Sequence, residues 1–270
     1  MALTAFQSSV LRLLADNRRN NAESYVAGGL ALNYKLGTPR VSRDIDVFHD
    51  SEAALLRSWE SDSATLAANG FAVKLLRKYA SFVEADVSKG NDHLEMQWGW
   101  DSAYRFFPLQ DDPVAGSTLH PLDLATNKLA ALVGRTEVRD WIDVITCAQQ
   151  IQPLAFLFSA ACGKDPGFSP VSMLEYVARR RHCQEEVDAK IIPGGTYDVA
   201  SLSRFWHEEI DRARETLKVF PREEAGKAVL TKYGELFRGT DGEFLVALSA
   251  GEIVFHEGHL GGAWPQIVER

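Results

Sequence analysis

The sequence predicts an α/β (α+β) protein. A small mixed sheet with flanking helices occupies residues 1–115, and a mostly helical part follows over 116–270, ending in a short hairpin. Three observations predict this. Segments of helical and strand spacing alternate over residues 4–68, the apolar period falls to two over 71–98, and helical spacing takes over from Pro121.

Phe6, Val10, Leu11, Leu13 and Leu14 mark a first helix over 4–17, closed by the polar run Asn17-Arg18-Arg19-Asn20-Asn21. Tyr25-Val26-Ala27 reads as a short strand and Gly28-Gly29 as a turn. Leu30-Ala31-Leu32-Asn33-Tyr34 opens a helix that ends near Gly37-Thr38-Pro39. A strand over 44–48 follows, then an Ala- and Leu-rich helix over 51–68 that Gly70 stops. Strands are expected at 71–75, 81–87 and 94–98, the last two pairing antiparallel about the turn Lys89-Gly90-Asn91-Asp92. Helices are expected at 122–133, 138–150, 153–161, 170–188 and 200–218, with Pro153, Pro166 and Pro170 at boundaries. Residues 191–196 read as a loop, and 244–248 with 252–255 as a hairpin about Ala250-Gly251.

With 46% hydrophobic and 24% charged residues, the chain has the composition of a packed globular protein rather than a disordered one. A net charge of -8 argues against a broad polyanion binder and leaves room for a local basic groove. Three widely spaced cysteines, Cys147, Cys162 and Cys183, form no CxxC pair, so they are expected as small core residues in a reducing compartment. Ala2 to Val10 lack the basic start and apolar run of a signal peptide, and no apolar run approaches the ~18 residues that span a bilayer. A cytoplasmic location without membrane partners is the expectation.

The chemistry centres on Arg43-Asp44-Ile45-Asp46-Val47-Phe48, fifteen residues after Gly29. In a strand, Asp44 and Asp46 project to one face and Ile45 and Val47 to the other. Two adjacent carboxylates repel unless a cation lies between them, and a hard divalent ion takes carboxylate oxygens while keeping positions for phosphates. Gly28 and Gly29 let backbone approach a phosphate at a helix N-terminus. Two-metal phosphoryl transfer usually recruits a third carboxylate. Glu95, in mid-strand between Leu94 and Met96, is the first candidate, with Glu84 and Asp86 as rivals.

A second constellation runs from Asp123 through Lys128 and Arg135 to Arg139-Asp140-Trp141-Ile142-Asp143. Lys128 and Arg135 are seven apart, two helical turns, and Arg139 and Asp143 are four apart. One reading is a helix couple laced by ion pairs. The other has Lys128 and Arg135 meeting nucleotide phosphates while Asp143 orients or deprotonates an acceptor hydroxyl. Gly163-Lys164 lacks the upstream glycine of a P-loop, and His207-Glu208-Glu209 lacks the second histidine of a zinc protease helix. His49, His93, His120 and His256 are expected to be structural or surface residues.

Taken together, Gly28-Gly29-Leu30-Ala31-Leu32, Arg40 to Phe48, and Lys128-Leu129-Ala130-Ala131-Leu132 with Arg135, Arg139-Asp140 and Asp143 resemble the AbiEii-type nucleotidyltransferases. These belong to the DNA polymerase β-like superfamily and include toxins of type IV toxin–antitoxin systems, the MenT-type enzymes among them. The resemblance spans roughly residues 20–150. It implies a nucleotidyltransferase fold whose helical C-terminal part completes the active site, and transfer of an NMP from an NTP to an acceptor hydroxyl with pyrophosphate leaving. It implies Mg2+ (or Mn2+) on Asp44 and Asp46, phosphates cradled by Gly28 and Gly29 and steadied by Ser42 and Arg43, Lys128 near the nucleotide, and Asp143 as the acid of the RD-x-x-D segment. It implies RNA, notably tRNA, as acceptor and a cognate antitoxin as partner; Lys74, Arg77 and Lys78, or Arg179 to His182, could meet the RNA backbone. One departure is Leu30, where the family often carries Ser or Thr. That departure leaves open a nucleotide-, RNA- or protein-binding module that has lost turnover, and a small-molecule acceptor is a further alternative.

Overall fold

A computed structural model describes residues 3–191 and 197–267. Two compact units emerge. The first comprises residues 1–103 and 108–120, the second 104–107 and 121–270. The chain thus passes into the second unit at Pro121 rather than after residue 115, because residues 116–118 are a strand of the first unit's sheet.

The first unit runs α1 (Ala5–Asn20), β1 (Ser24–Ala27), α2 (Gly28–Leu36), β2 (Asp44–His49), α3 (Glu52–Ala68), β3 (Ala72–Tyr79), β4 (Phe82–Lys89) and β5 (Asp92–Trp100). After β6 (Tyr104–Arg105), which belongs to the second unit, come β7 (Gln110–Asp112) and β8 (Gly116–Thr118). The seven strands of the first unit order as β3-β4-β5-β2-β1-β8-β7. The sheet is mixed: β2 lies parallel to β5 and β1 to β8, and the other neighbours are antiparallel. The local signals are legible. Thr4 and Gln7 form a capping box on α1, Ser51 caps α3, and Gly37 closes α2 in the left-handed conformation.

Period-two patterning sends Ile45, Val47, Val83, Ala85, Val87, Met96 and Trp98 to one face, where all are essentially buried. Each buried Val, Ile or Met side chain contributes about 1.5–3 kcal/mol. Asp62, on α3, ties this layer together. It accepts from Asn17 at 2.8 Å and from the Trp98 indole at 2.8 Å, and it pairs with the buried Arg18 of α1. A buried carboxylate is tolerable only with partners of this kind.

The second unit carries α4 (Pro121–Gly134), α5 (Val138–Gln150), α6 (Leu154–Cys162), α7 (Pro170–Ala178), α8 (Gln184–Lys190), α9 (Val199–Val219), β9 (Ala228–Thr231), α10 (Asp241–Ser249), β10 (Ile253–His256) and β11 (His259–Leu260). Three sequence expectations change here. The helix expected over 170–188 breaks at Arg179 to Cys183, where Arg180 turns back to donate to the Leu132 carbonyl at 3.3 Å and His182 packs on Trp141. The terminal hairpin does not form. Residues 241–249 are a helix started by a Thr240–Glu243 capping box, because Phe244 is needed in a core with Phe156, Phe220 and Val229. Residues 253–256 pair instead with β9, which the sequence reading missed. Cys147 and Cys162 are buried as expected, but Cys183 is exposed. The loop expected over 191–196 lies, from 192 onward, outside the described residues. Among the described residues no single helix is long and apolar enough to cross a membrane.

Candidate functional site

Strand β2 alternates as its sequence demands: Asp44, Asp46 and Phe48 are half-buried on one face, and Ile45, Val47 and His49 are buried on the other. Its partner β1 ends at Ala27, which stands opposite Asp46. The next residue, Gly28, begins α2 with a φ of 66°. A Cβ on Gly28 would lie 1.9 Å from an Asp46 carboxylate oxygen. Glycine is therefore required twice, by the positive φ and by the carboxylate that occupies the side-chain space. The N-cap residue Ala27 offers α2 no side-chain cap, and the Asp46 carboxylate lies against that helix start at Gly28. Ser42 donates to Asp44 at 2.7 Å, and Gln7 holds the Ser42 backbone carbonyl at 2.7 Å. Ser42 thus positions Asp44, while Arg43 is exposed beside it. Leu30 is 1% exposed and belongs to the core.

Register places Glu95 of β5 directly beside Asp44, and Gln97 beside Asp46. The rivals sit one strand further out, Asp86 opposite Glu95 and Glu84 opposite Gln97. Glu84 is buried and engaged by Arg77, which brings its Nη2 within 2.8 Å, and this pairing holds its carboxyl below the usual range. Asp86 lies 3.4 Å from His93. Glu95 accepts from the Gln97 amide at 2.7 Å. That bond pulls its pKa down, but burial and the carboxylates of Glu84 and Asp44 prevail and raise it. Among the described residues no three His, Cys, Asp or Glu side chains converge as a ready metal cage. The donor set fits a hard divalent ion that takes two carboxylates and completes its shell with phosphate oxygens and water. Glu95 stands on the neighbouring strand as the adjacent carboxylate.

In the second unit, Lys128 is buried between Asp140 at 3.1 Å and Asp143 at 3.3 Å. Arg135 reaches Asp140 from the other side at 2.6 Å. Burial alone would raise the Asp140 pKa, but Arg135 and Lys128 reverse that and lower it. This is the ion-paired helix couple. Asp143, 1% exposed and engaged with Lys128, is placed to position that lysine. Asp140, which sequence reasoning left without a role, is the hub; its adjacency to Arg139 in the RD pair was the available signal. Asp123 and Lys164 were also missed as partners. Asp123 accepts from the Phe106 and Phe107 amides and pairs with Lys164 at 2.8 Å, a fully satisfied structural knot.

The order of the mixed sheet and the DxD strand beside a glycine-started helix define a nucleotidyltransferase fold. The particular likenesses are distant. MenT4, a nucleotidyltransferase toxin of Mycobacterium tuberculosis, matches with a TM-score of 0.55 over 76% of this chain and 80% of its own, at 14% identity. JHP933 of Helicobacter pylori matches with a TM-score of 0.51 over 78% of this chain and 90% of its own, at 16% identity. No protein-family model and no curated protein matches the sequence.

Proposed function

We propose that this chain is a metal-dependent nucleotidyltransferase that moves an NMP from an NTP to an acceptor hydroxyl, with RNA, tRNA included, as the acceptor class. The observation that carries the reading is Asp46 seated over Gly28 at the start of α2, with Asp44 beside it on the same strand face. Bound Mg2+ would neutralise the triphosphate and polarise the α-phosphate. Asp44 and Asp46 would hold it, Ser42 fixes the angle of Asp44, and the backbone of Gly28 and Gly29 would take phosphate oxygens. The acceptor oxygen forms its bond to the α-phosphorus as the bond to pyrophosphate breaks, and the hydroxyl proton leaves to solvent water. In this reading Lys128 is a fixed cation positioned by Asp140 and Asp143, and Asp143 does not take the acceptor proton. Leu30 points into the core, so its lack of a hydroxyl removes one contact without filling the cradle. This favours an active enzyme over a binding module that has lost turnover.

The test is incubation with labelled NTPs, Mg2+ and total RNA. Wild type is expected to transfer label into RNA, and Asp44→Ala or Asp46→Ala to reduce the rate on the order of a thousandfold. Equal labelling by wild type and the Asp44→Ala/Asp46→Ala double variant overturns the assignment. Label appearing on small molecules but not on RNA reassigns the acceptor. Growth arrest on expression, relieved by a co-expressed neighbouring gene, would support a toxin with a cognate antitoxin.

A further inference from the structure

The carboxylate face of the sheet is laid out in straight rows across the strands. One row reads Ala27, Asp46, Gln97, Glu84, Arg77, and a second reads Asp44, Glu95, Asp86, Lys74. On the other side of the Asp46 row lies a third: Tyr25, Phe48, Gly99, Phe82, Tyr79. Four of its five positions are aromatic, and the fifth is a glycine whose missing side chain leaves room for a neighbour. A Cβ on Gly99 would stand 3.2 Å from the Phe48 ring, so that ring leans over the glycine. Tyr25 is buried and stacks on Phe48 with centroids 6.5 Å apart. Phe48 and Phe82 are half-buried, Tyr79 is 64% exposed, and Arg77 lies over the Phe82 ring at 5.6 Å.

We infer that Phe48, Phe82 and Tyr79 form a base-stacking platform for the single-stranded end of an RNA acceptor. The inference rests on the nucleotidyltransferase reading above. Alternate residues along a strand are ~7 Å apart and neighbouring strands ~4.8 Å apart. A terminal nucleotide reacting at Asp46 therefore places the next base on the aromatic row, and Phe48 to Tyr79 spans ~14 Å outward to the sheet edge. Rings on an open sheet stack bases of any sequence, and cations along the edge take the phosphates. Here the edge strand β3 supplies Lys74 and Arg77, opposite Asp86 and Glu84 on the same face and both exposed. Of the acids in the adjoining rows, Glu84 is neutralised by Arg77, and Lys74 stands opposite Asp86. A protein strand adding to β3 is the competing occupant. The register shift between Leu75 and Arg77, with Lys74 and Lys78 flanking it, guards the edge against such pairing.

The test uses the full chain and a labelled, unstructured single-stranded RNA of about ten nucleotides, a length in the range one such platform binds, read by fluorescence anisotropy. Single-stranded RNA is expected to bind better than a duplex of the same sequence. Tyr79→Ala and Phe82→Ala are each expected to weaken it on the order of tenfold, and Tyr79→Phe to leave it unchanged. In the transfer assay Tyr79→Ala should raise KM for RNA and leave kcat in place, with an unaltered urea midpoint because the side chain is mostly exposed. Wild-type affinity in both alanine variants, or equal or tighter binding of the duplex, overturns the platform. The two readings fail separately. Transfer that persists with an unchanged KM in Tyr79→Ala removes the platform alone, whereas absence of transfer by wild type removes the enzymatic reading while the binding data still stand.

Discussion

Gly28 is a position where a single methyl group strikes the carboxylate site directly. Its φ of 66° disfavours any side chain, and the space is already taken by Asp46. Gly28→Ala should destabilise the chain by about 1–3 kcal/mol. It should also displace Asp46 and abolish Mg2+-dependent NTP binding, measured by urea unfolding and calorimetry. His49 makes a different prediction. Burial drives its pKa from 6.5 down to about 4. Its Nδ1 donates to the Gly99 carbonyl and its Nε2 accepts from Ser24, both at 3.1 Å. The unfolded chain therefore binds a proton that the folded chain refuses between those two pH values, and stability falls as pH drops through that window. The loss is on the order of 3 kcal/mol by pH 4, and a pH series of urea midpoints on His49→Gln should lack it. Residues such as Gly28, Asp44 and Asp46 were legible in the sequence because strand alternation fixes their face. The burial of Asp143 was not, because its partner Lys128 comes from another helix and spacing along one helix says nothing of what packs across it.

At the scale of elements, α4 and α5 are joined by charge. Asp140 is fully buried and serves both Lys128 and Arg135. Asp140→Ala would take from the buried Lys128 one of its two carboxylate ion-pair partners, at a cost of about 3–5 kcal/mol, which a shifted urea midpoint would reveal. Since the folded-state pKa of Asp140 is lowered from 3.8, its contribution is present above that value and disappears as pH falls below it. The alanine variant should therefore lose less stability on acidification than wild type. The elements most legible in sequence were those with period and caps together, such as α1, α3 and β2. Residues 241–249 were misread because Phe244-Leu245-Val246 has the composition of a strand. The decisive facts were the Thr240–Glu243 capping box and an aromatic core that only a helix lets Phe244 reach. The three rows on the sheet were invisible for a related reason. Each strand's alternation can be read alone, but the alignment of Phe48 with Gly99 and Phe82 depends on register, which long-range pairing sets.

Across the whole molecule the charge is -8, and any RNA must approach against it. A broad cationic surface would release many counterions and show a steep dependence of affinity on salt. Here the proposed contacts are concentrated on β3, where Arg77 is already shared with Glu84 and Lys74 is exposed on the same face. One such contact on a single strand gives a slope of log affinity against log salt of about -0.7. The remainder of the binding comes from stacking, which salt screens little. Lys74→Ala should therefore flatten the salt dependence almost completely while preserving a measurable affinity, and Tyr79→Ala should do the reverse, lowering affinity at every salt concentration with the slope intact. Anisotropy titrations of the two variants across a salt series separate these terms. A slope that stays unchanged in Lys74→Ala would place the phosphates on another surface of the chain.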